Sequence, residues 1–98
     1  MNINMLIHES NLQVDALIRK YVDGFNPGEK TDVREYIEVF SDRAGLEVNE
    51  ITTNMMRIAL DNNMDPTPIS SENKTLIIRC YMEVMQGVFD KIYTKPAQ

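Results

Sequence analysis

Apolar residues recur every three or four positions in the first quarter of the chain, which is the period of an amphipathic helix. The residues that follow this period are Leu6, Ile7, Val14, Leu17, Ile18, Tyr21 and Val22. Asp23 and Gly24 end the run before a polar loop, so the pattern predicts a helix over roughly residues 4–23. Ser10 and Asn11 leave open an internal cap that separates a short first turn from the main helix.

The segment after the loop predicts two short helices joined by a glycine turn. Asp32 can accept hydrogen bonds from the free amides at a helix start, and Gly45 can adopt the left-handed conformation that ends a helix. We therefore expect one helix over residues 32–44, with Tyr36, Ile37, Phe40 and Ala44 on its apolar face. A second apolar group predicts a helix over residues 48–62, which Pro66 cannot continue. That group is Ile51, Met55, Ile58 and Ala59.

The last part of the chain carries its most hydrophobic stretch. Ser70 and Ser71 are suitable N-cap residues after two prolines, and the predicted helix spans residues 71–93. Its wide apolar stripe consists of Leu76, Ile77, Cys80, Tyr81, Val84, Met85, Val88, Phe89 and Ile92. The polar residues 94–98 are expected to form a frayed tail.

These patterns predict a single all-α domain over residues 1–98, with four main helices packed as a bundle or as orthogonal helices. The hydrophobic content of 43% argues against a disordered chain. No apolar run approaches the roughly 20 residues that cross a bilayer, and no charged-then-apolar leader is visible. We therefore expect a cytoplasmic protein without membrane contact. The single cysteine, Cys80, lies in the apolar stripe and is expected to be a buried, inert thiol.

One stretch has the ligand spacing of a calcium-binding loop of the EF-hand type. Asp61, Asn63, Asp65, Thr67 and Glu72 occupy positions one, three, five, seven and twelve of such a loop. Position six needs a residue that turns sharply, but here it is Pro66, whose φ is fixed near -65°. A helix stop, a proline linker and a new helix cap explain the same residues. We expect no metal, no cofactor and no catalytic residues, and hence not an enzyme.

The apolar surface of the last helix indicates protein binding. Methionines cluster in the second half of the chain, and flexible methionine side chains are common on partner-binding faces as well as in cores. The candidate partner-binding residues are Tyr81, Met82, Met85, Phe89 and Tyr93. A homodimer is an alternative use of the same stripe, because it exceeds what short neighbouring helices need to bury.

Two further runs, ALDNNMDP and LIIRCYMEVM, follow the glycine-containing run EYIEVFSDRAGLEVNEI. Together, these segments resemble the late-transcription coactivators of T4-type bacteriophages, which are small acidic helical proteins. The resemblance implies attachment to the flap of bacterial RNA polymerase and a bridge to the replication clamp. That family ends in an acidic, hydrophobic clamp-binding tail, whereas this chain ends in YTKPAQ. A non-catalytic adaptor or regulator that binds a larger complex, with RNA polymerase as the candidate, is the expected function.

The alternative is a DNA-binding repressor or antitoxin. The run DVREYIEVFSDRAGLEVNEITTNMMRIALD is similar to the two helices of ribbon-helix-helix proteins, in which a glycine turn joins the pair. Those proteins read DNA with a strand before the helices, and NPGEKT has no strand pattern. The net charge of -5 and the scattered basic residues also disfavour phosphate binding.

Overall fold

A computed structural model describes residues 2–28 and 32–93 of the chain. These residues form three helices, α1 over Ile3–Asp23, α2 over Val33–Asp61 and α3 over Thr67–Tyr93, and no strand. All three pack on one another in an elongated bundle of 55 × 26 × 16 Å, with α2 antiparallel to the other two. The predicted all-α class is confirmed. The predicted count of four helices is wrong, because the second and third expected helices are one.

Helix α2 runs through Gly45 without a break. Gly45 does not have a positive φ, so it does not form the predicted turn. The reason is the buried stripe of α2, which keeps one helical phase on both sides of the glycine. Its members are Phe40, Ala44, Val48, Thr52, Met55 and Ala59. A continuous helix buries all of them together. The free energy gained by this burial outweighs the roughly 1 kcal/mol that a glycine inside a helix costs.

Helix α1 confirms the first predicted helix within one residue at its start. The Asn2 side chain accepts a hydrogen bond from the amide of Met5 and caps the first turn. Ser10 and Asn11 do not form an internal cap, because their side chains donate to the carbonyls of Leu6 and Ile7 within the continuous helix.

The turn between α2 and α3 ends one helix and starts the next within a few residues. Asn63 adopts a φ of 57°, and the amide of Met64 donates to the carbonyl of Ala59 at 2.8 Å. This closure is a Schellman motif with asparagine at the left-handed position. Asp65 then accepts from the amide of Thr67 at 3.0 Å, so it caps the start of the next helix.

The start of α3 was predicted four residues too late. Pro68 lies in the first turn, where proline's fixed φ suits a helix and its missing amide costs nothing. Ser71 lies inside the helix, and its hydroxyl donates to the carbonyl of Thr67. The two serines are therefore not caps. The predicted frayed tail, residues 94–98, lies outside the described residues.

The bundle has two hydrophobic clusters separated by a polar layer. The larger cluster surrounds Val14, Phe40, Val48 and Val84, and the smaller one contains Leu6, Met55, Ala59 and Ile69. Each helix places one polar residue between its contributions to the two clusters: Ser10 on α1, Thr52 on α2 and Asn73 on α3. The Thr52 hydroxyl donates to the Asn73 side-chain oxygen at 2.7 Å, which fixes the register of α2 against α3.

Candidate protein-binding face

Helix α3 has two apolar faces. The inner face packs into the core through Leu76, Cys80, Val84 and Val88, each no more than 1% exposed. On the other side lies a second group of apolar side chains, which we call the outer face of α3. It consists of Ile78, Tyr81, Met82, Met85, Phe89 and Tyr93. The bundle buries the inner face fully and leaves the outer face partly exposed.

The predicted site residues all belong to this outer face. Met82 is 63% exposed and Tyr93 is 76% exposed, whereas Met85 and Phe89 are half-buried. Ile78, which is 49% exposed, also belongs to this face but is not among the predicted residues. Its signal was available, because residues 78, 82, 85 and 89 follow intervals of four, three and four, the spacing of a helix that packs on another helix.

Aromatic contacts hold one edge of the outer face in place. The Tyr81 ring stacks on Phe40 of α2 with centroids 5.8 Å apart, and Phe40 meets Tyr21 of α1 edge to ring at 4.9 Å. Phe89 and Tyr93 lie one helical turn apart, with centroids separated by 6.1 Å. Tyr81 is therefore both a core neighbour and a surface residue, so its substitution would disturb the fold as well as the face.

The opposite edge of the outer face is charged. Arg79 donates to Asp15 of α1 at 2.7 Å and to Glu83 at 3.0 Å, and it also reaches the carbonyl of Asn11 at 3.2 Å. These bonds join α3 to α1. Glu72 lies seven residues before Arg79, and Asp90 lies seven residues after Glu83. Seven residues are about two helical turns, so both acidic residues lie on the same flank of α3 as this ion pair. The outer face thus lies between a tyrosine edge toward α2 and an ionic edge toward α1.

Exposed apolar residues elsewhere are scattered among polar ones. The exposed large apolar side chains of α1 and α2 are Met5, Leu12, Val39, Leu46 and Leu60. Leu46, for example, is 70% exposed, but Asp42, Arg43 and Asn49 lie around it on the same side of α2. Single exposed residues of this kind are normal on protein surfaces. On α3, by contrast, the exposed residues Ile78, Tyr81 and Met82 lie within about one turn of each other, and half-buried apolar residues continue the line.

The titratable groups of the described residues do not converge on a reactive centre. No three of their His, Cys, Asp and Glu side chains come close enough together to hold a metal ion. Burial raises the pKa of the Cys80 thiol to about 11. Burial and the hydrogen bond to Glu47, which is 2.5 Å long, also raise the pKa of Tyr21 far above its usual value. Both groups are therefore held in their protonated forms at neutral pH and lie under other side chains.

The chain matches no protein-family model, no curated protein and no solved structure at a significant level. Among the described residues, none of the helices combines the length and apolar character that a membrane span requires. The geometry of the chain itself therefore carries the functional inference, and that geometry offers a long apolar helix face.

Proposed function

We propose that this chain is a non-catalytic protein-binding regulator that docks on a larger protein complex through the outer face of α3. The observation that supports this proposal is the apolar line at residues 78, 82, 85 and 89, in which Ile78 and Met82 are exposed and Met85 and Phe89 are half-buried. Exposing such a line to water is unfavourable, and covering it with a partner removes that apolar area from water.

The surrounding structure favours recognition of a helix or a shallow groove. The line follows the spacing with which one helix packs on another. Aromatic and methionine side chains, which dominate here, are enriched at the centres of protein interfaces. The bundle behind the face is tied together by Arg79 and by the Tyr81–Phe40 stack. A rigid face loses little conformational entropy when it binds.

Bacterial RNA polymerase is the candidate complex, in the cytoplasm, because of the resemblance to T4-type late-transcription coactivators. Two segments of that resemblance, residues 59–66 and 76–85, are the end of α2 with its turn and the middle of α3. The DNA-binding alternative draws on a glycine turn between two helices, and α2 has no such turn at Gly45. For that reason we favour protein binding over DNA binding.

Gel filtration with purified bacterial RNA polymerase tests this function. The wild-type chain and the Leu46→Glu variant should co-elute with the polymerase, whereas Met82→Glu should elute alone. Leu46→Glu is a matched control, because it places the same charge at an equally exposed apolar residue on α2. Failure of the wild-type chain to co-elute would contradict polymerase binding. Equal binding by all three chains would contradict the outer face of α3 as the site.

A further inference from the structure

We infer that the outer face of α3 also binds a second copy of this chain, with the two α3 helices antiparallel. This inference rests on the proposed function, because it assigns one partner to the same face. In the dimer, Ile78 would pack against Phe89 of the second copy, and Met82 against Met85 of the second copy. A two-fold axis would pass near the midpoint of residues 83 and 84.

The apolar line at residues 78, 82, 85 and 89 is symmetric in its spacing. Its intervals of four, three and four residues are the same when they are counted from either end. Its residues are also nearly symmetric, with two methionines at the centre and a large side chain at each end. A two-fold interface requires a surface that is complementary to its own reversed copy. This line meets that requirement without any gap or insertion.

The distribution of charge also favours contact between two copies through this face. Each chain carries a net charge of -5, so two copies repel each other, and a contact that brought carboxylates together would add to that repulsion. The outer face of α3 contains no acidic residue. Glu72, Glu83 and Asp90 all lie on the flank toward α1, where Arg79 bonds to Glu83. An antiparallel pair therefore buries the apolar line without bringing two carboxylates together at its centre.

The size of the face sets the expected strength of the dimer. From residue 78 to residue 93 it is about 23 Å long and one helix wide, at about 1.5 Å per residue. A contact of this size falls at the small end of specific interfaces, which bury about 1,200 Å² or more. We therefore expect a dimer that forms at high concentration and dissociates on dilution. A larger partner that uses the same face would compete with the second copy, so dimerisation would limit access to it.

Sedimentation velocity over a concentration series tests the dimer. Wild type and Leu46→Glu should shift from monomer to dimer as concentration rises. Met82→Glu should weaken dimerisation by at least about a hundredfold, because each dimer would bury two unpaired charges. Circular dichroism should show the same helix content in all three chains. A wild-type chain that stays monomeric throughout, or a Met82→Glu chain that dimerises like wild type, would overturn the inference.

Cysteine cross-linking tests the antiparallel arrangement. Ile78→Cys and Phe89→Cys variants, mixed under mild oxidation, should form a disulfide between the two different chains. In the proposed dimer two copies of residue 78 are about 16 Å apart along the axis, so Ile78→Cys alone should not cross-link. Cross-linking of Ile78→Cys alone would indicate a parallel pair and would contradict the arrangement. If circular dichroism shows that either cysteine variant is misfolded, the sedimentation of Met82→Glu and Leu46→Glu decides whether the outer face of α3 forms the dimer.

The two proposals fail in different ways. A monomeric chain that still binds RNA polymerase, but not after Met82→Glu, would reject the second copy and keep the proposed function. A dimer that Met82→Glu disrupts, together with no polymerase binding, would reject the polymerase and keep the second copy. Dimerisation that Met82→Glu and Leu46→Glu leave unchanged would reject the outer face of α3 as the dimer contact.

Discussion

Gly87 of α3 lies directly against Val22 of α1. A Cβ atom added to Gly87 would come within 2.6 Å of Cγ2 of Val22, closer than carbon atoms can approach. The glycine therefore allows α1 and α3 to approach closely near the end of the bundle. There the ammonium group of Lys91 donates to the carbonyls of Val22 and Phe25 at the end of α1.

Gly87→Ala should destabilise the protein, although alanine normally favours a helix. The added methyl group would force Val22 or the whole of α1 to move, at a cost of about 1–3 kcal/mol in the free energy of unfolding. Urea denaturation measures this cost. A second substitution, Val22→Ala, should remove part of the clash, so the double variant should lose less than the sum of the single losses. A stabilised Gly87→Ala chain would contradict the close helix contact.

Gly45→Ala should have the opposite effect. Gly45 lies inside α2, and a Cβ added there meets no atom within 4 Å. Alanine should therefore stabilise the chain by about 0.5–1 kcal/mol, because it reduces the freedom of the unfolded state and favours the helix. Urea denaturation again gives the value. A destabilised variant would indicate a glycine with positive φ, as in the turn that the sequence predicted, and would contradict the continuous helix.

Thr52→Val should weaken the polar layer. Valine has nearly the shape of threonine but cannot donate to Asn73, whose side-chain oxygen would lose the 2.7 Å bond from the buried hydroxyl. We expect a loss of about 1 kcal/mol in the free energy of unfolding. Thr53→Val is the control, because Thr53 is exposed on the same helix and its substitution should stay within about 0.5 kcal/mol of wild type. Equal effects of the two substitutions would argue against the layer.

The buried thiol predicts a loss of stability at alkaline pH. Burial raises the pKa of Cys80 from 9.0 in the unfolded chain to about 11 in the folded one. The folded state therefore favours the protonated thiol, and its contribution is complete below pH 9 and is lost as pH rises toward 11. The linked loss is on the order of 2–3 kcal/mol. Cys80→Ala should show a smaller decline over this range. An identical pH dependence in both chains would contradict the assignment.

The sequence predicted helix periodicity well and helix ends less well. The prediction of α1 was correct because the apolar stripe stops just before Gly24, so both signals indicate the same helix end. The error at Gly45 arose because a glycine can end a helix or lie within one, and its own residue type does not decide between them. Val48 and Thr52 show that the helix continues, because they lie between the two predicted apolar groups and on the same buried face of α2. The two predicted apolar groups contain neither residue.

The candidate site could be predicted only in part, for a similar reason. The width of the apolar stripe in α3 indicated that one helix face was in excess. Sequence periodicity cannot show which edge of a wide stripe the neighbouring helices cover, because that depends on how they pack. Contacts of Tyr81 with α2 and of Arg79 with α1 define the two covered edges. Ile78 lies between these edges, and its spacing to residues 82, 85 and 89 also indicates that it belongs to the face.

Site-specific photo-crosslinking in bacterial cells tests the central claim that the outer face of α3 is a protein interface. A benzophenone amino acid at residue 82 should give covalent adducts of higher mass, and mass spectrometry would identify a second copy or an RNA polymerase subunit in them. The same group at residue 46 of α2 should give few adducts or none. Equal adducts at residues 46 and 82, or no adduct at residue 82, would contradict the claim.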